Sequence, residues 1–563
     1  MMAARCSLTI AHAARVAPLH VSSRRRITRV SSRPRRIPHA AESQAATEAS
    51  DIEDVEENEE ELAERKAVSE LVGWCVSKGA QGSGLSVLLP DDSGRGRGLE
   101  ASRDIEVGTS NAAKVLGLKS DEENRFIAPM THHQPTPPLT KQDGEPVLRL
   151  PLEMGICDYQ DGHPPETWEV MSNAPWGVRL ACRLLQERTK GSDSTFAPYV
   201  ALLPDSVPGS PLMYTDDEVS SLQYPPAVAE AREMRDAVQT WFRKLESEAP
   251  ASLAGADVEA FKRAVSVVHS RTYGIASAAE GNEGYFRALL PLADLLNHGG
   301  DEYPETALSP AGTKGGRANE APAAAKWPAS GCSDNIAWSE LSDEGVIEFA
   351  ATRPIASHEE ASMSYGERGN DHFLMYYGFV PPRNPHDDAV VFSDVDHALS
   401  WHMVFHPELW DAGDEAETNV REAAARAAVR EVEKALKSTS DGALIASEPR
   451  LKVLPGGRCD ARLISAFAAA YAGTDTGVEG GKQVDQVDID SAHADIARRC
   501  AELLRGMPTS LSEDYAVAGD VESFPRVSEG ARTAAAYRAH KKEVLIDAVL
   551  ALGGDVVKLP DDA

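Results

Sequence analysis

Arg287-Ala288-Leu289-Leu290-Pro291-Leu292-Ala293-Asp294-Leu295-Leu296-Asn297-His298-Gly299-Gly300 is an apolar run that stops abruptly at Asn-His-Gly-Gly. A short apolar run bounded by turn residues predicts a buried segment. Its polar content is unusual. Asp294 lies inside the run, and Asn297 and His298 stand at its exit. Buried polar groups need partners, so three together make either a structural network or a ligand site. Working outward, Ser362-Met363-Ser364-Tyr365-Gly366 comes next, and Tyr377-Gly378-Phe379 begins twelve residues after Tyr365.

Asn-His, then Ser-Tyr-Gly, then Tyr-Gly-Phe resembles the carboxyl half of a SET domain. More narrowly, it is similar to the plastid class typified by Rubisco large-subunit methyltransferase. The resemblance implies an α+β chain: a β-rich SET fold of pseudoknot type, interrupted by a helical insert and followed by an all-α substrate-binding domain. It implies S-adenosyl-L-methionine as cofactor and a protein lysine as acceptor. In that frame Tyr377 is the catalytic tyrosine and Tyr365 lines the acceptor channel. Asn297 and His298 hold the cofactor, and Asp294 faces the substrate.

Two further matches extend the resemblance. Gly94-Arg95-Gly96-Arg97-Gly98-Leu99-Glu100-Ala101 precedes Asp104-Ile105. A lone Gly-x-Gly is usually only a turn. Here it resembles the first SET motif, so Arg95, Gly96, Arg97 and Gly98 are expected at the cofactor, with Arg95 replacing an acidic residue. The helix predicted to end at His269-Ser270-Arg271-Thr272-Tyr273 resembles the Ser-Arg motif, whose Arg271 touches cofactor and substrate. A second arginine of that motif is Ile275 here. Ile355 to Glu360 reads as a turn.

Charge and composition bound the rest. The chain has 563 residues and a formal net charge of -31, which argues against nonspecific nucleic-acid binding. Met1 to Ala41 holds nine arginines and no acidic residue. Arg-rich, Ser-rich and acid-poor is the transit-peptide pattern, so residues 1–41 are expected to direct the chain to the chloroplast stroma, with the mitochondrion as the alternative. Residues 42–66 read as an acidic linker. The SET domain is expected over 67–384, with its helical insert at about 165–270. Aperiodic inserts are expected at 109–143 and 299–330, and the C-terminal domain over 385–555. No stretch reaches the roughly 18 apolar residues of a membrane span. The seven cysteines form no C-x-x-C, and His132-His133 has no spaced partner, so no metal site is indicated.

The function expected is methylation of a lysine on a stromal protein, Rubisco large subunit or another stromal enzyme such as aldolase, by a monomer. The alternatives are a catalytically quiet SET-fold module that binds proteins, and a protein-histidine methyltransferase.

Overall fold

The structure is a computed structural model. It describes residues 20–22, 59–89, 97–105, 146–158, 162–277, 284–300, 334–339, 341–342, 344–410, 415–437, 447–473, 484–521 and 523–553. Arg95 and Gly96 lie outside these, as do His132-His133, the insert 109–143, the insert 299–330 beyond Gly300, and all of 1–41 except the strand His20–Ser22.

One nine-stranded sheet organises the amino-terminal half. Its order is His20–Ser22, Leu85–Leu88, Gly98–Ala101, Glu360–Met363, Ile336–Trp338, Val346–Ala351, Pro146–Pro151 and Gln81–Gly82. The ninth strand, Asn297–His298, pairs with Glu360–Met363. Glu360–Met363 is therefore the hub. Its first half runs antiparallel to Gly98–Ala101 and its second half parallel to Asn297–His298 and Ile336–Trp338. Leu85–Leu88 and Gly98–Ala101 are buried at every position, the polar Ser86 and Glu100 included. A smaller antiparallel sheet joins Thr272–Ser277 to Gly284–Leu289 and Ile156–Cys157.

The helical insert packs on this framework. Trp176–Lys190 starts after Pro175 and buries Val178, Leu180, Ala181, Leu184 and Leu185, which recur at helical spacing. Thr215 and Glu218 form a capping box at the start of Asp216–Ser221. Val258–Arg271 is capped by Asp257, whose carboxylate accepts from Ala260 N at 2.8 Å. The insert and the sheet share one apolar core, from Val68 to Met363.

Beyond Asn384 the chain is mainly helical, in Val395–Phe405, Glu415–Leu436, Ala461–Ala472, Gln486–Arg505, Leu511–Gly519 and Glu529–Ala551. It also carries a three-stranded antiparallel sheet, Ala389–Phe392, Leu451–Leu454 and Arg458–Cys459, which adds a β element to a region expected to be helical throughout. This region has a second core, and Leu374 and Met375, just before Tyr377, enter it.

One boundary needs correcting. The first long helix is Glu59–Ser77, so it takes in Glu59 to Lys66, which the sequence reads as linker. Glu, Ala and Lys favour helix in themselves, and Glu64 is fixed by Arg97, 2.6 Å away, a partner no local reading supplies. Among the described residues no helix is long and apolar enough to cross a membrane.

Candidate functional site

Strand register brings the two motifs together. Ser362 lies opposite Asn297 and Met363 opposite His298. Asn297 sends its amide across the hub: Nδ2 donates to Glu360 Oε1 at 2.8 Å and to Arg97 O at 3.4 Å. Gly98 allows this approach, because a Cβ there would lie 3.0 Å from Asn297 Nδ2. Glu360 is thus a partner of Asn297, where the sequence reading saw only the end of a turn. Arg97 contributes its backbone. Its guanidinium turns away to Glu64 and, at 2.8 Å, to Leu202 O.

His298 is the centre of an aromatic cluster. Its ring lies 4.7 Å from Phe373, 5.2 Å from Tyr365 and 5.9 Å from Phe379, measured between centroids. Burial lowers its pKa to about 4, so the imidazole is neutral at physiological pH. Its Nδ1 accepts from Tyr365 N at 3.2 Å. The Tyr365 hydroxyl donates to Leu296 O at 2.8 Å. His298 therefore fixes the backbone of Tyr365, and the 287–300 run fixes its ring.

Tyr377 meets Tyr365 at 4.9 Å between centroids, with planes 30° apart. A local irregularity places it there. Phe373–Tyr377 is a π-helical turn that directly follows the single turn Asn370–His372. A π turn closes from i to i+5 and recurs at functional sites. It lets Tyr377 stay on the face of His372, which touches both Tyr376 and Tyr377. Gly378 ends the turn at φ 72°, and a Cβ there would lie 2.6 Å from Val207 Cγ1 and 2.8 Å from Ser210 N. Glycine is required on both counts.

The third part of the site is ionic. Arg271 Nη1 donates to Asp294 O at 2.9 Å and lies 3.3 Å from Asp294 Oδ2. Burial raises the Asp294 pKa, and the Arg271 guanidinium opposes that rise. The turn bearing Asp294 is entered through Leu292 at φ 67°, a backbone region costly for a buried leucine. Tyr273 donates to Ala293 O at 2.7 Å and so props the same turn. Ile275 is fully buried, at the position of the missing second arginine.

Among the predicted residues, Arg97, Gly98, Arg271, Asp294, Asn297, His298, Tyr365 and Tyr377 are thus joined by strand register, hydrogen bonds or ring contact. Sequence reasoning missed Glu360, Tyr273 and His372. Only Tyr273 had a signal, its place two residues after Arg271.

No protein-family model matches the chain, and no curated protein matches it. Solved structures do. The SET domain of LSMT bound to lysine and AdoHcy superposes with a TM-score of 0.53 at 14% identity, covering 87% of this chain and 91% of that one. Rubisco LSMT bound to AdoMet gives 0.52 at 14%, over 86% and 91%. Rubisco LSMT bound to sinefungin and monomethyllysine gives 0.51 at 13%, over 86% and 91%. The chain has a SET fold. The match runs through the insert and into the C-terminal region as well as the sheet, because it spans most of both chains.

Among the described residues one other group has metal-ligand composition. His402, His406 and Asp495 lie within 4.8 Å of one another in the C-terminal region. The donor set does not suit a cation. Trp410 Nε1–H can only donate, and it donates to His402 Nδ1 at 2.9 Å. The His402 proton is therefore on Nε2, the nitrogen a metal would need, and it points toward Asp495 Oδ2 at 3.4 Å. The group reads as a buried polar network that includes Tyr471, whose hydroxyl donates to Asp495 at 2.5 Å.

Proposed function

We propose that this chain is an S-adenosyl-L-methionine-dependent protein-lysine N-methyltransferase of the split plastid SET class, acting as a monomer on a stromal protein such as Rubisco large subunit or aldolase. One observation carries the reading: the register of Asn297–His298 on Ser362–Met363 sets Asn297 against the Gly98 strand and Tyr365 against Tyr377. Solved structures of the same fold were captured with lysine and AdoHcy, and with AdoMet, which supports the same chemistry here.

The residues fit the cofactor. Gly98 has no side chain to block the Asn297 amide, so the polar Asn297 and the neutral His298 stand side by side at the exit of the 287–300 run. When bound, S-adenosylmethionine supplies an electrophilic methyl on a positive sulfur, which an amine lone pair takes as the carbon–sulfur bond breaks. Asn297, His298 and the Gly98 backbone would hold it, with Arg271 as a further contact from the end of the insert. Tyr365 and Tyr377 present aromatic walls that exclude water from the acceptor amine. Burial lowers an amine's pKa, so the lysine gives up its proton to bulk water as it enters, before the walls shut water out. The Tyr377 hydroxyl then orients the amine, and positioning supplies much of the acceleration. Asp294, braced by Arg271, stands on the substrate side.

The experiment is calorimetry on Asn297→Ala. Loss of its hydrogen bonds should weaken S-adenosylmethionine binding about ten- to a hundredfold, with far-UV circular dichroism unchanged. Undiminished affinity in a folded variant rejects the assignment. Residence in the plastid rests on the acid-free, Arg-rich segment Met1 to Ala41. Residues 1–60 fused to a fluorescent reporter should carry it to the plastid, and a nuclear or cytosolic signal contradicts this.

A further inference from the structure

The turn that carries Tyr377 is gripped from outside the SET core. The grip comes from Glu529–Ala551, the last described helix. The Asp371 carboxylate accepts from the Tyr537 hydroxyl and lies 3.1 Å from Lys541 Nζ. Lys541 Nζ also donates to Asp387 Oδ1, at 2.7 Å, and to Asp388 O. Asp387 Oδ1 in turn accepts from Asn370 N at 2.9 Å. The Asn370 side chain accepts from Asn384 Nδ2 at 2.8 Å, and the same amide donates to Arg368 O at 2.7 Å.

Lys541 and Tyr537 are fully buried. Burial disfavours the ammonium, yet Asp371, Asp387 and Asp388 outweigh it and keep Lys541 charged. A buried ionic network is no better for stability than a packed apolar core; what it supplies is fixed geometry. Geometry is what the Tyr377 turn needs. A π turn is a rare arrangement, and this one is closed at its far end by Gly378 against Val207 and Ser210. The network attaches to the single turn just before it, at Asn370 and Asp371.

We propose that Tyr537 and Lys541 are positioning residues for Tyr377: through Asp371 and Asn370 the C-terminal helix holds the turn that aims the Tyr377 hydroxyl. The activity arm of the test rests on the methyltransferase reading; the exchange arm does not.

Tyr537→Phe keeps the buried ring and removes only the oxygen. Lys541→Met is a second variant that keeps the stem. Each is compared with wild type in three ways: amide hydrogen exchange over residues 370–378, S-adenosylmethionine affinity, and initial rate of labelled methyl transfer into plastid stromal extract at varied extract concentration. Tyr537→Phe should speed exchange at 370–378 and lower the saturated rate about ten- to a hundredfold. The half-saturating extract concentration and the cofactor affinity should hold within about twofold. In a Tyr377→Phe background it should cost nothing further, because both act through one hydroxyl. Unchanged exchange overturns the proposal, as does an equal loss of rate in both backgrounds. If wild type transfers no methyl group, the methyltransferase reading fails. Exchange then decides the grip alone: acceleration in Tyr537→Phe supports it and unchanged protection overturns it.

Discussion

Tyr377→Phe is expected to lower the rate of methyl transfer about a hundred- to a thousandfold, the scale of a lost transition-state donor. The change removes one oxygen and keeps a ring that is almost wholly buried. The packing with Tyr365, Phe373 and Phe379 remains, so stability should hardly move. Cofactor affinity should also be unchanged, because the hydroxyl acts mainly as the methyl group moves. Transfer into stromal extract and calorimetry on the same preparation check both halves. Near-wild-type transfer would remove Tyr377 from the mechanism and favour the quiet-module reading.

The largest stability loss is expected elsewhere, at Asp514. Its carboxylate has no exposed surface and takes two cations from the C-terminal helix: Arg538, at 2.9 and 2.6 Å, and Lys542, at 2.6 Å. Arg538 also donates to Ser221 O at 2.5 Å, and Lys542 to Thr509, which holds Gln223. Asp514 therefore ties the insert to the C-terminal region. Asp514→Ala leaves two buried cations without a carboxylate, and removing one partner of a buried pair costs about 3–5 kcal/mol. Urea unfolding followed by circular dichroism should show that loss. A shift below about 1 kcal/mol, the range of a solvent-exposed pair, contradicts the account.

Periodicity and turn residues made much of the fold legible. Pro146–Pro151, Ile336–Trp338 and Val346–Ala351 form strands where apolar residues cluster between breakers. The order of Asn-His, Ser-Tyr-Gly and Tyr-Gly-Phe pointed to a shared site, and the register of two short strands realises it. What escaped was non-local. Glu64 looked like linker because its partner is Arg97, across 33 residues. Lys541 and Lys542 are buried against carboxylates from other segments, partners that no local pattern announces. The π turn leaves no composition signal, since Phe373 to Tyr377 would suit an ordinary helix. The sheet strand Ala389–Phe392 did leave one, a short β-branched and aromatic run, but helices on either side masked it.

The most direct test is transfer of a labelled methyl group from S-adenosylmethionine into plastid stromal extract by the purified chain, followed by mass spectrometry of the labelled peptide. The account predicts label on a lysine side-chain nitrogen, abolished by competing S-adenosylhomocysteine and nearly lost in Tyr377→Phe. Label on histidine, or no transfer by a folded chain that binds the cofactor, would contradict it.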